Sequence, residues 1–360
     1  MIPFVDLKKQ ELAYREELNA AVSRVLTSGH YILGEEVHSL ERELSAYTKV
    51  KHVISCASGT DALEMSLVAL GLKPSDEVLI PDFSFISPAE CVARLGGIPK
   101  FVDISKETFL LDSAALESQI TEKTVGIIAV HLFGQGVSET ILKTLAKKHS
   151  LWLLGDSAQA FGSLQNGKSV LNFGDISTTS FYPTKPLGAF GDGGAIFTNN
   201  DLLAEKIKKL RNHGMILPYE HEFLGFNSRL DELQAAILKV KLNHFDEELV
   251  RRNQNAEIYN SFFQNFSDIQ IPKIESGNTS TFAQYSLQAE NRNFWLTLLQ
   301  KANIPTAIYY KTPLSKQPCF LSLKNKENLN AEICAECVFS IPVCAFTNAE
   351  KIIEKIKKEL

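Results

Sequence analysis

The chain begins with two stretches in which apolar residues recur every three or four positions, about Gln10 to Thr27 and Gly34 to Tyr47, and both predict helices. Short runs rich in β-branched residues then follow: His52 to Cys56, Glu77 to Pro81, Lys100 to Ile104, Val125 to Val130, Leu151 to Gly155 and Ile176 to Phe181. Helix-like segments separate most of them. That rhythm predicts an α/β fold with a mainly parallel central sheet covered by helices on both faces, and ligands of such sheets sit at the carboxyl ends of the strands.

From Asp231 a helical pattern through Leu233, Ala236, Ile237, Val240 and Leu242 runs towards Tyr259, and a looser region with Pro272, Gly277, Pro305 and Pro313 follows. A length of 360 residues favours two domains. We expect a large one over 1–245 and a smaller C-terminal α/β one over 246–360, with the change falling inside that helix. The tail Lys351 to Lys357 alternates Ile with Lys and Glu at helical spacing, which reads as a solvated amphipathic helix.

Composition removes several function classes. With 44% hydrophobic and 22% charged residues, no segment is poor enough in apolar side chains to stay disordered. Net charge is −5 with scattered lysines, so no nucleic-acid partner is expected. The N-terminal segment is not a charged stretch followed by an apolar one, and the apolar runs are too short to span a membrane, so a cytoplasmic protein is expected. The six cysteines form no secreted disulfide framework. Cys334 and Cys337 have the spacing of half a zinc site, but no second pair follows and no histidine occurs after His244, so no metal is expected.

The strand ends carry the candidate chemistry. Ser58-Gly59-Thr60-Asp61 leads from the first strand into an apolar helical segment, where backbone N–H groups would receive an anion such as phosphate, although the same residues serve ordinary capping. Ser180-Phe-Tyr-Pro-Thr-Lys185-Pro-Leu-Gly188 sets a lysine among apolar and small residues, where it sheds its proton more easily, as an imine-forming amine must. Taken alone, Lys185 could equally be a surface lysine and the following glycines turn-formers. Asp156, 29 residues earlier, ends an apolar strand where a carboxylate is costly to bury unless a cation meets it. A pyridinium nitrogen is such a cation, and keeping it protonated makes a pyridoxal ring an electron sink. The glycines after Lys185 precede another strand, Ala195 to Thr198, which disfavours a nicotinamide fingerprint.

Together these segments, with Gly191-Asp-Gly-Gly194 and Gly225-Phe-Asn-Ser-Arg-Leu-Asp-Glu-Leu-Gln-Ala-Ala236, resemble the DegT-type sugar aminotransferases, a branch of the fold-type I pyridoxal-phosphate enzymes. The resemblance implies pyridoxal 5'-phosphate as cofactor, Lys185 as the lysine that binds it as an imine, Asp156 at the pyridine nitrogen and Gln159 near the phenolic oxygen. It puts Phe85 on the ring and Gly59, Thr60 and Ser180 at the phosphate. It also implies a homodimer in which Asn227 reaches across to the partner's cofactor. Arg229 would meet a substrate carboxylate, and Tyr309 and Tyr310 would lie on the substrate side.

Within that family, Phe4 to Lys8, Thr27 to Gly34, Ala283 to Ser286 and Ile304 to Ile308 are most similar to enzymes that aminate C3 of a UDP-2-acetamido-2-deoxy-3-keto-hexuronate with glutamate as donor. Such products serve surface polysaccharides, among them lipopolysaccharide O-antigen. Relatives acting on dTDP-linked 3-keto-6-deoxy sugars are the alternative; a non-catalytic regulator or binding protein of the same fold is the alternative from another class. One departure stands out: where many members read His-Tyr-Pro and then Pro-Leu-His, this chain has Tyr309-Tyr310-Lys311 and Pro313-Leu314-Ser315.

Overall fold

A computed structural model describes residues 2–323 and 326–360. Seven strands make the central sheet: β1 (His52–Cys56), β2 (Glu77–Pro81), β3 (Ile98–Val102), β4 (Thr124–Val130), β5 (Trp152–Asp156), β6 (Ile176–Ser180) and β7 (Gly194–Thr198), in the order β1-β7-β6-β5-β4-β2-β3. The pairs β2–β3, β2–β4, β4–β5 and β5–β6 are parallel, and β7 runs antiparallel to both neighbours. Apart from their first residues, β1, β2 and β5 are buried throughout, as strands covered on both faces must be.

Two expectations shift. The third strand covers Ile98–Val102 instead of Lys100 to Ile104. It therefore includes Pro99, which an edge strand paired only with β2 tolerates because one row of its backbone groups needs no partner. The helical pattern from Asp231 onward is two helices, Glu232–Asn243 and Phe245–Phe263, meeting at His244. Asp246, Glu247 and Glu248 crowd the first turn of the second helix, where carboxylates favour a fresh N-terminus. His244 itself stacks on Tyr14, with centroids 4.1 Å apart. The apolar periodicity continues through the break because both helices cover apolar cores, so periodicity alone hid it.

Beyond the second helix, β8 (Ile269–Gln270), β9 (Tyr285–Ala289) and β10 (Val338–Ile341) form an antiparallel sheet. It packs around Tyr259, Phe263, Trp295 and Phe339 in a core of its own. The intervening segment does not stay with that core: Leu314, Phe320 and Ala331 pack into the core of the large sheet. That return of the chain brings the Tyr309–Ser315 segment to the carboxyl ends of the strands. The tail helix Ala349–Lys357 buries Ile352, Ile353 and Ile356 against the small sheet and leaves its charged face outward. No helix among the described residues is long and apolar enough to cross a membrane.

Candidate active site

The sheet register explains why distant residues converge. Cys56 and Ser180 both pair with Gly194, so the ends of β1, β6 and β7 lie side by side. Ser58 caps the helix Gly59–Leu70 by accepting the Asp61 N–H at 3.0 Å. That leaves the first backbone N–H groups of the helix facing the strand ends. Space here is tight: a Cβ on Gly59 would lie 2.7 Å from that of Ser180, and one on Gly194 would lie 2.4 Å from the Ser58 carbonyl oxygen. Only glycines let the two loops approach this closely. The Thr60 hydroxyl meets that of Ser87 at 2.9 Å. The cradle that results has the backbone and hydroxyl donors of an anion site at a helix N-terminus.

Asp156 ends β5, 6% exposed, and the one hydrogen-bond donor to its carboxylate among the described residues is the Ala158 N–H at 3.0 Å. Burial pushes its carboxyl above the ordinary range, against the opposing pull of that N–H and of Lys185. Lys185 shows the mirror effect: burial depresses its amine while Asp156 works the other way. A carboxylate and an amine, each shifted by burial and each within electrostatic reach of the other, fit a group that brings a cationic ring nitrogen to one and a carbonyl carbon to the other. Pyridoxal phosphate has both, and its phosphate suits the cradle.

The lysine turn is held from behind. Its N–H donates to the Tyr182 carbonyl at 2.9 Å, and the Ala189 N–H returns to Phe181 at 2.7 Å. Lys241, 3% exposed, donates to the Gly188 carbonyl and lies over the Phe190 ring, and burial pulls its amine down to about 8. Sequence reading missed Lys241; on a helix of apolar periodicity nothing local marks it.

Gln159 is fixed at both ends of its amide. Its Oε1 accepts the Phe133 N–H at 2.9 Å and its Nε2 donates to the Tyr310 hydroxyl at 3.0 Å. Tyr310 therefore stands against the Asp156 side of the cleft, deeper than a purely substrate-side residue, while Tyr309 is half-buried beside it. Phe85 is 54% exposed and tilted towards Tyr310, so much of its ring is uncovered.

Asn227 and Arg229 flank Ser228, whose hydroxyl donates to Asp61 at 2.7 Å and accepts the Ala57 N–H at 3.2 Å. This ties their segment to the loop after β1. Asn227 is exposed, and Arg229 is partly buried with a hydrogen bond to Asn212 at 2.9 Å. Within one chain, these two stay outside the Asp156–Gln159 group.

Also missed was His131, which follows β4 and is fully buried. Its Nδ1 accepts the Val137 N–H at 3.0 Å and its backbone N–H bonds Asp156. Burial lowers its imidazole to about 4, so it stays neutral and keeps that bond.

An α/β sheet whose carboxyl edge holds a partly buried lysine within electrostatic reach of a buried carboxylate, beside an anion cradle, defines a lysine-dependent pyridoxal-phosphate enzyme. The chain belongs to the DegT/DnrJ/EryC1/StrS aminotransferase family, whose sequence model matches residues 13–358. It is a pyridoxal-phosphate-dependent sugar aminotransferase. The UDP-2-acetamido-2-deoxy-3-oxo-D-glucuronate aminotransferase of Pseudomonas aeruginosa is 42% identical to it, over 98% of each chain. A pleiotropic regulatory protein of Geobacillus stearothermophilus is 41% identical over 99% of this chain and 97% of its own. Among solved structures, S. venezuelae DesV in complex with a ketimine intermediate superposes with a TM-score of 0.96 at 34% identity, covering 99% of this chain and 96% of that one.

Proposed function

We propose that this enzyme moves an amino group from glutamate to C3 of a UDP-linked 2-acetamido-2-deoxy-3-keto-hexuronate, supplying an amino sugar for a surface polysaccharide. Lys185 and the buried Asp156, each felt electrostatically by the other at the edge of the sheet, carry the reaction type. The full-length similarity to the Pseudomonas enzyme supports the substrate class.

When bound, pyridoxal phosphate supplies an electron sink for carbon–hydrogen bond breaking next to the transferred nitrogen. In this reading the chain does the rest. Asp156 holds the ring nitrogen protonated, and the ring cation in turn keeps the buried carboxylate ionised. Gln159, locked by Phe133 and Tyr310, orients the ring edge. Phe85 covers one ring face, and Gly59, Thr60 and Ser180 grip the phosphate. Lys185 would hold the cofactor through Nζ, and the same amine, when free, would take up and return the proton at the carbon next to the transferred nitrogen, for the donor and then for the sugar. Burial lowers its proton affinity, which favours the free amine that both tasks need.

The same reading makes the protein a homodimer, with Asn227 and Arg229 serving the partner's cofactor and a substrate carboxylate. The exposed apolar side chains Tyr182, Phe190, Leu217, Tyr219 and Leu224 support it, since Tyr219 and Leu224 are 94% and 96% exposed in one chain. Residues 1–245 would then form the cofactor-binding unit and 246–360 the smaller one. A cytoplasmic location suits a UDP-sugar substrate. The intact Lys185, Asp156 and Gln159 favour catalysis over a purely regulatory role.

Absorbance spectra of the protein with pyridoxal phosphate, before and after glutamate, test the donor half. The expected result is a visible band of lysine-bound cofactor that glutamate bleaches. UDP- and dTDP-linked keto sugars should then be compared as acceptors. A band that never forms would overturn the assignment of Lys185, and preference for the dTDP sugar would overturn the substrate.

A further inference from the structure

Asp82, the first residue after β2, is fully buried. Its carboxylate accepts three hydrogen bonds: from the Ser315 N–H and the Ser315 hydroxyl, each at 2.6 Å, and from Asn328 Nδ2 at 2.8 Å. The Asp82 carbonyl also receives the Leu314 N–H at 2.8 Å. None of these partners is a cation. Burial therefore pushes the carboxyl upward while the Ser315 and Asn328 donors draw it back. A charge-assisted knot of this kind is costly to bury, and losing one partner leaves an unmet group in a dry place.

Two segments that face the cofactor side leave this knot. Asp82 leads directly into Phe83-Ser84-Phe85, and Ser315 ends the segment that begins at Tyr309. The Tyr310 ring stands edge-on to Phe83 at 5.9 Å and tilted to Phe85 at 6.5 Å, and its hydroxyl holds Gln159. The knot thus sets how far Tyr310 stands from the strand end that carries Phe85. Ser315 is turned inward to Asp82, and the neighbouring Tyr309 and Tyr310 form the wall.

We propose that Asp82, with Ser315 and Asn328, is a positioning device that fixes the Tyr309–Tyr310 wall against Gln159 and thereby governs acceptance of the keto sugar. This rests on the sugar-aminotransferase reading of the cleft. The device touches neither substrate nor cofactor; it acts through Tyr310.

The test uses full-length enzyme loaded with pyridoxal phosphate and four variants: Asp82→Asn, Asn328→Asp, Ser315→Ala, and the double swap Asp82→Asn/Asn328→Asp. In Asp82→Asn two amide donors face each other; the swap gives one of them a carboxylate again. We expect each of the two single exchanges to lower kcat/KM for the UDP-keto sugar about tenfold, the loss of one charge-assisted hydrogen bond. The glutamate half-reaction, which shares Gln159 but not the sugar wall, should fall clearly less than the sugar half-reaction, and the swap should recover most of the loss. Ser315→Ala should fall between. The pH at which the visible band of the lysine-bound cofactor titrates should move in the single variants and return in the swap, and amide exchange across 309–315 should follow the same order. Parallel loss in both half-reactions, tracking Tm and unrelieved by the swap, would show simple packing and overturn the proposal. If the wild-type enzyme accepts glutamate but no keto sugar, the substrate reading fails. The device is then judged on exchange and titration, and unchanged behaviour in the single variants overturns it.

Discussion

Asp156 stands at the end of a buried strand with its neighbours fixed by sheet register, whereas Arg229 sits on a loop, partly exposed and bonded to Asn212. The same contrast runs through the whole site. Asp156, Gln159 and the Lys185 turn lie at the edge of one sheet, and their polar atoms have assigned partners or are desolvated by the fold itself. Phe85, Asn227 and Arg229 present surface that a single chain leaves uncovered or only half covered. The rear of the cleft is preorganised for a cofactor that is the same in every turnover. The front consists of loops left partly uncovered, and loops are where specificity changes at least cost to the fold.

The largest effect should come from the rear. Lys185→Ala is expected to lower turnover by at least about a thousandfold, because the proposed mechanism loses its nucleophile and proton carrier together. Single-turnover transfer from glutamate reads this directly, and near-normal transfer would break the distinction drawn between rear and front. Asp156→Asn removes the carboxylate that the proposed mechanism pairs with the ring cation and should slow the glutamate half-reaction about a hundredfold while the protein stays folded. A loss in sugar binding alone would place Asp156 on the wrong side of the comparison.

A pH effect on stability sharpens the same division. His131 has a folded value of about 4, against an ordinary 6.5 in the unfolded chain. Above 6.5 both states hold it neutral. As pH falls from 6.5 towards 4 the unfolded chain binds a proton that the folded one refuses, so stability drops by about 1.4 kcal/mol per pH unit, or about 2 kcal/mol by pH 5. Urea unfolding at pH 7 and pH 5 measures this, and His131→Asn should flatten the slope. An unchanged slope would mean that the loop after β4 does not depend on a neutral imidazole.

At the front the expected changes are smaller and more selective. Arg229→Gln should raise KM for the carboxylate-bearing substrate about tenfold, with the cofactor spectrum unaltered. A shifted spectrum instead would draw Arg229 into the cofactor site.

Much of the rear was legible in the sequence. Asp156 was marked by a charge at the end of an apolar run, and Lys185 by a turn rich in proline and glycine. Both signals are local, and such strands have few places to go in a parallel sheet. The strand boundaries followed for the same reason, except at β3, where an edge position admitted Pro99. The break at His244 was not legible, because two helices covering apolar surface keep one periodicity. Nor was the role of Lys241, an ordinary amine by sequence, which became a buried brace only when its helix packed against the lysine turn.

The sequence by itself therefore determined the sheet, the order of its strands' chemistry, the lysine and its carboxylate. These depend on periodicity, burial cost and motif spacing, all of which act over short stretches of chain. Tertiary structure alone decided that Asp82 would find Ser315 and Asn328, that Tyr310 would stand on Gln159, and that His131 would lie neutral beneath the site. These contacts join residues up to 246 positions apart. A buried polar group takes whichever partner the packed chain brings within reach, and no local pattern records which one that is.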